Sequence, residues 1–111
     1  LTTETRGLIG TSQLELMKSD AVLINTARGA LVDSAALVDA LSKSAIGGAA
    51  IDVLAQEPPT DGDALLNYRG DNLILTPHIA WATETARQNA LIDLAENIKA
   101  FQAGVRRNRL V

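Results

Sequence analysis

The 111 residues include no cysteine, which excludes a disulfide framework, a zinc knuckle and a thiol nucleophile. A cysteine-free chain tolerates either redox compartment, so none is implied. Aromatic residues make up only 3% of the chain against 47% hydrophobic residues overall. The core must therefore be aliphatic, and its many Ala, Leu, Ile and Val residues suit helices packed closely on a buried parallel sheet. No apolar run approaches the roughly 18 residues that span a bilayer. The opening stretch, Leu1-Thr2-Thr3-Glu4-Thr5-Arg6, lacks a Met and has no charged-then-apolar signal pattern. It reads as chain entered in mid-sequence, and the expectation is a piece of a larger protein. Basic excess is missing as well. The formal net charge is −3, which argues against nucleic acid, whose binders show a basic face. No metal centre is expected.

What is present is an alternation of helix and strand signals without internal repeat or low-complexity stretch. Ser12-Gln13-Leu14-Glu15 has the capping-box pattern and predicts a short helix through Lys18. Ala21 to Asn25 is a continuous apolar run of strand length, and Gly29 ends that unit. Asp33 or Ser34 can cap a second helix in which Leu37, Val38 and Leu41 follow helical spacing. Gly47-Gly48 is expected to break that helix and lead into a second buried strand, Ala49 to Val53. Residues 55–62, with Pro58-Pro59, form a loop by composition. Leu73 to Thr76 is a third strand, stopped by Pro77. Thr83 caps a long helix to about Ala103, with Gly104 as its stop and Leu91, Leu94, Ala95, Ile98 and Phe101 as its apolar stripe. Such a helix spans roughly 30 Å, which suggests that it also reaches a neighbouring domain. Strand, helix and strand in this order imply parallel pairs with right-handed crossovers. The fold class is α/β, the second half of a Rossmann-type doubly wound parallel sheet followed by a long C-terminal helix.

The polar residues that this pattern leaves over fall at matching places. Asn25-Thr26-Ala27-Arg28 leaves the first strand at its carboxyl end, Asp52 closes the second with Glu57 following, and His78 leaves the third just after Pro77. In a parallel sheet these ends share one edge, and neighbouring strands lie only about 4.8 Å apart. Open α/β sheets bind ligands at that edge. Arg28, Asp52, Glu57 and His78 can therefore converge. A histidine with a carboxylate partner is a competent proton donor and acceptor, because the carboxylate fixes the ring and favours imidazolium. A guanidinium holds a substrate carboxylate by two parallel hydrogen bonds. Together they suit a substrate with a carboxylate beside a carbonyl, protonated as hydride arrives from a cofactor.

Asn25-Thr26-Ala27-Arg28-Gly29 with Leu31-Val32-Asp33, then Gly48 to Val53 and Glu57-Pro58, then Thr76-Pro77-His78-Ile79-Ala80, resemble successive signatures of the D-2-hydroxyacid dehydrogenase family. The resemblance runs in order and spacing from Leu1 to about Gly104. It implies that Arg28 binds and polarises the oxo acid, that His78 is the acid/base, and that Glu57 supports His78. It implies further that Asp52 receives the nicotinamide carboxamide and that Thr5, Thr26, Ala27, Arg28, His78 and Ala80 contact the cofactor, NAD or NADP. Residues 1–111 would then be the nicotinamide-side half of a dinucleotide-binding domain. The family's Gly-rich phosphate loop, the acidic residue for the adenosine ribose and the substrate domain would lie before Leu1. Within the family, His78-Ile79-Ala80-Trp81 and Gln56-Glu57-Pro58-Pro59 look most like glycerate dehydrogenases (hydroxypyruvate reductases). The implied partner is a small 2-oxo or 2-hydroxy acid, with no membrane and no nucleic acid, in a cytoplasmic homodimer.

Each residue alone has a simpler reading. His78 could be a turn residue, Glu57 a solvated loop acid, Arg28-Gly29 a surface charge and a left-handed turn, and Asp52 the cap of a following turn. Only the ordered set on three strand ends sets those readings aside. Trp81 suits either a substrate pocket or packing under the long helix, and Arg106-Arg107-Asn108-Arg109 reads as solvated chain returning towards another domain. Gly47-Gly48 is too short and misplaced for a dinucleotide loop. A different class of function, a nucleotide-sensing binding protein like the C-terminal-binding transcriptional corepressors, resembles the same family. Formate dehydrogenase relatives carry Gln where Glu57 stands, which disfavours that branch.

Overall fold

The computed structural model describes residues 1–110. The chain divides into two compact units, residues 1–79 and the stretch from Ala80 onward.

The first unit is an α/β body around a three-stranded sheet. Its elements are α1 (Thr11–Glu15), β1 (Val22–Asn25), a 3-10 turn (Gly29–Leu31), α2 (Ser34–Ser42), β2 (Gly48–Ile51), α3 (Ala64–Asn67) and β3 (Leu73–Leu75). The strands lie in the order β1-β2-β3. Both pairs are parallel, with Asn25 opposite Ile51 and Ile51 opposite Leu75. All three carboxyl ends thus meet one edge, as the strand–helix–strand order predicts.

One face of this sheet is covered by helices. Leu14 of α1, Leu37 and Leu41 of α2 and Leu65 of α3 join Ile46, Ala49 and Ile51 in a single aliphatic core. Leu37 is completely buried, and a leucine so placed stabilises the fold by about 1.5–3 kcal/mol relative to exposure. The period-2 alternation of strands sends Val22, Ile24 and Ile74 to the other face, where all three are exposed. The small residues of β2, Gly48 and Ala49, are buried. Gly48 lies so near the Asn72 carbonyl that an added Cβ would meet it at 3.0 Å.

Several local expectations shift. The α1 box is closed two residues earlier than Ser12 suggests: Gly10 is the N-cap, and its N–H donates to Gln13 Oε1 at 3.0 Å. The helix ends at Glu15 rather than Lys18. Asp33, not Ser34, caps α2, accepting from the amides of Ala35 and Ala36. That helix stops at Ser42, ahead of Gly47-Gly48, and Ser44 takes a left-handed φ of 52° just beyond it. Gly47 instead allows close approach to Asp20, whose carbonyl oxygen would lie 2.8 Å from an added Cβ. The loop after β2 holds an unforeseen element, α3, capped by Asp63, which accepts from Leu65 N–H at 3.0 Å. Its signal, an Asp ahead of Ala-Leu-Leu, is outweighed in sequence by the surrounding Pro and Gly.

The second unit holds α4 (Glu84–Gln102), capped by Thr83, which accepts from Ala86 N–H. Gly104 follows its end at φ +69°, the left-handed stop that glycine permits. No residue of α4 is buried, so its stripe of Leu91, Leu94, Ile98 and Phe101 is open. Trp81 is 60% exposed. The Arg106–Arg109 run is not simply solvated chain. Arg107 donates to Asp93 at 2.9 Å, to Glu96 at 2.6 Å and to Asn97, because acceptors at these spacings share one helical face. Asp93 and Glu96 together hold the Arg107 guanidinium further into its charged form.

Candidate active site

The carboxyl edge of the sheet is organised by buried polar groups. Asn25, only 6% exposed at the end of β1, accepts from Ala27 N–H at 3.1 Å and donates to the Arg28 carbonyl at 2.9 Å. The amide thus folds residues 25–28 into a turn and is itself satisfied, as a buried amide must be. Thr26, Ala27 and Arg28 are left exposed at the edge. The Arg28 guanidinium bends back to the Ala27 carbonyl at 2.7 Å. Arg28 is extended, and Gly29 is not among the left-handed residues, so the turn reading of this pair does not hold. Gly29 answers a different demand: a Cβ there would fall 2.0 Å from the carbonyl carbon of Leu54 and 2.4 Å from Ala55 N.

Asp52, 4% exposed, follows β2 and ties the neighbouring strands together. Its N–H donates to the Asn25 carbonyl at 2.9 Å, and its own carbonyl accepts from His78 N–H at 2.8 Å. Its carboxylate Oδ1 accepts from Ile79 N–H at 2.9 Å and from the Thr76 hydroxyl. Asp52 is therefore more than the cap of a following turn. These bonds hold His78 at a φ of 54°, a left-handed conformation uncommon for any residue but glycine and frequent where side chains are aimed for function. Asn25 and Thr76 are site-builders beyond those expected from sequence, and a polar residue ending or directly following an apolar strand is their visible signal.

Glu57 reaches His78 from the loop after β2. Its Oε1 accepts from Leu54 N–H at 2.9 Å, and its Oε2 lies 2.7 Å from His78 Nδ1. The Leu54 amide first, and then the bond to His78, hold the Glu57 carboxyl below its ordinary value of 4.5. The acid is thus ionised throughout the range in which an imidazole, near 6.5 when unperturbed, gains and loses a proton. With Nδ1 engaged by the carboxylate, the other ring nitrogen is the one that can exchange a proton with a substrate. Behind the pair lies a cavity of about 430 Å³, walled by Leu54, Pro58, Pro59, Leu66, Leu75 and Pro77.

The structure thus joins Asp52, Glu57 and His78 directly, and places Arg28 at the end of the adjacent strand. Thr5 is not drawn into this network. Its hydroxyl accepts from Thr2 N–H at 2.8 Å within the turn before α1. Ala80 opens the second unit and is exposed. Among the described residues no cluster of His, Asp and Glu could hold a metal ion.

Comparison with known proteins places the chain in a family. The chain is 53% identical over 97% of its length to glycerate dehydrogenase of Methylorubrum extorquens, covering 34% of that protein. It is 47% identical over 94% of its length to glyoxylate reductase of Aeropyrum pernix, covering 30% of it. The fold superposes on a crystal structure of a D-isomer specific 2-hydroxyacid dehydrogenase from Xanthobacter autotrophicus in complex with NADPH and MES. There the TM-score is 0.75 at 38% identity, over 100% of this chain and 44% of that one. The chain spans about a third of the length of the curated relatives it matches. The family model for the NAD binding domain of D-isomer specific 2-hydroxyacid dehydrogenases matches residues 1–80, and the chain belongs to that family.

Proposed function

We propose that this chain is the nicotinamide-side half of the dinucleotide-binding domain of an oxidoreductase that interconverts a 2-oxo acid and a D-2-hydroxy acid. Hydroxypyruvate with glycerate, and glyoxylate with glycolate, are the first-choice pairs, since the relatives that share about half its residues are named for them. The observation that carries the reading is the 2.7 Å pair of Glu57 and His78 at the carboxyl edge of a parallel sheet.

A dinucleotide fits this edge by its chemistry. Exposed Thr26 and Ala27 and the acidic acceptor Asp52 stand at adjacent strand ends, where open α/β sheets take such ligands. By the family resemblance Asp52 would receive the carboxamide N–H, and Thr5, Thr26, Ala27, Arg28, His78 and Ala80 would also contact the cofactor. NAD(P)H supplies the hydride when bound. The chain's own residues do the rest. Arg28 grips the substrate carboxylate with its planar fork. His78 gives its proton to the carbonyl oxygen as that oxygen gains charge, and takes it back from the hydroxyl in the reverse direction. Glu57 holds the ring and stabilises the imidazolium that must be present before reduction.

The test uses the full-length enzyme with hydroxypyruvate and glyoxylate, each with NADH and with NADPH. His78→Ala should lower kcat by roughly 10²–10⁴-fold, the usual yield of general acid–base catalysis. Arg28→Lys should raise KM for the oxo acid and slow turnover while cofactor affinity stays near wild type, because lysine keeps the charge and loses the two-pronged grip. Unchanged kcat/KM in either variant removes that residue from its role.

A further inference from the structure

We infer that Gly29 is a positioning residue for the Glu57–His78 pair, acting through the Leu54–Ala55 peptide that rests against it. The inference depends on the acid/base reading of His78 given above. Three contacts carry it, two of them between residues more than 20 apart in sequence and the third within the loop after β2. Gly29 begins the 3-10 turn after Arg28, and its Cα lies so close to the Leu54–Ala55 peptide that a methyl group would sit 2.0 Å from Leu54 C and 2.2 Å from its oxygen. Backbone atoms cannot swing aside as a flexible side chain can, so any side chain at position 29 displaces that peptide. Leu54 in turn donates its N–H to Glu57 Oε1 at 2.9 Å. Glu57 then has its second oxygen on His78 Nδ1 at 2.7 Å.

The sequence of contacts is therefore Gly29 to the 54–55 peptide, Leu54 N–H to Glu57, and Glu57 to the imidazole. Because β1 and β2 are adjacent and parallel, the segments following them run side by side. The absence of a side chain at Gly29 lets them close to backbone contact. The same turn carries Arg28, so substrate clamp and acid/base pair are set in register by one backbone contact. The pair is partly open to solvent, His78 by 43% and Glu57 by 35% of their side chains. Its alignment consequently depends on what holds Glu57 from behind, which is the Leu54 amide.

The experiment measures kcat/KM against pH, in reduction and in oxidation, on the full-length enzyme. Four forms are compared with wild type: Gly29→Ala, Glu57→Gln, the two combined, and an enzyme whose Leu54 amide is replaced by an ester, which deletes the N–H without adding a side chain. Gly29→Ala and the ester should move both pH limbs downward, as Glu57→Gln does. In reduction above the limb this reads as a loss of up to about tenfold, the factor equivalent to one pH unit. Gly29→Ala should add no further displacement in the Glu57→Gln background, since coupled residues are not additive. A glycine needed only for folding would lower the yield of enzyme or kcat at every pH and leave the limbs in place, and that result overturns the inference. If Gly29→Ala yields no folded enzyme, the ester form decides alone, and unmoved limbs there overturn it equally. Unmoved limbs in Glu57→Gln would instead overturn the acid/base reading and this inference with it.

Discussion

Glu57 shows how a single residue links geometry to pH. Its carboxyl is held below the ordinary value, by the Leu54 amide first and by His78 second. A group with a depressed folded pKa contributes stability that is present above its unfolded value and lost as pH falls through the folded one. For Glu57 the window lies below 4.5, so above it the carboxylate presents a constant charge to the imidazole. In the function proposed above, reduction needs imidazolium and oxidation needs the neutral ring. Glu57→Gln keeps the shape and removes the charge that favours imidazolium. Reduction should then be lost at a lower pH than in wild type, and oxidation should become possible at a lower pH. Both limbs move the same way because one group governs both directions. The check is kcat/KM against pH in both directions, with hydride transfer shown to be limiting by a deuterium isotope effect. Unmoved profiles would leave Glu57 a loop acid. At this scale the sequence was informative about residue type and order: Arg28, Asp52, Glu57 and His78 are recognisable before any contact is known. Asn25 and Thr76 show in it only as polar residues ending apolar strands; the turn that Asn25 closes and the bond from Thr76 to Asp52 are visible only in the fold.

At the scale of elements, the short helices depend on their caps because none has the length to be stable by itself. Asp33 accepts from two amides at the start of α2, and α2 supplies Leu37 and Leu41 to the core. Asp33→Ala should destabilise the first unit by about 1 kcal/mol, typical for loss of an N-cap, with most of the loss recovered in Asp33→Ser. Urea denaturation of the full-length protein checks this. No change in the midpoint of the transition that includes α2 would show that the cap is dispensable. The strands and the long helix were legible because their signals, continuous aliphatic runs and a Thr83 cap ahead of a long polar-and-apolar periodicity, are local. The end of α2 and the presence of α3 were not. Ser44 adopts a left-handed turn that its residue type does not announce, and α3 is a single turn, its Asp63 cap and Ala-Leu-Leu run too short to stand out among the flanking Pro and Gly.

For the whole molecule, the relevant fact is that the chain spans about a third of its curated relatives. The sheet face at Val22, Ile24 and Ile74 is exposed, whereas parallel sheets are usually covered on both faces. Our reading assigns the phosphate-gripping glycine loop to the remainder of the protein. Residues 1–111 alone, mixed with NADH and hydroxypyruvate, should on that reading show no turnover above buffer, since pyrophosphate is ordinarily bound at a helix N-terminus behind such a loop. Robust activity from this piece would refute the division of labour proposed here.

Sequence by itself determined the α/β class, the parallel order of three strands and the placing of Arg28, Asp52 and His78 at their carboxyl ends. These follow from periodicity and from the handedness of strand–helix–strand units, which any stretch of such sequence carries locally. Only the tertiary structure decided how the ends are joined. The left-handed His78 secured by Asp52, the Glu57 carboxylate shared between Leu54 and His78, and the seat that Gly29 gives to the Leu54–Ala55 peptide require segments some 20 to 30 residues apart in sequence to meet at hydrogen-bond or van der Waals distance. Periodicity specifies which face a side chain takes, but the spacing between two backbones is set by the packing of everything around them.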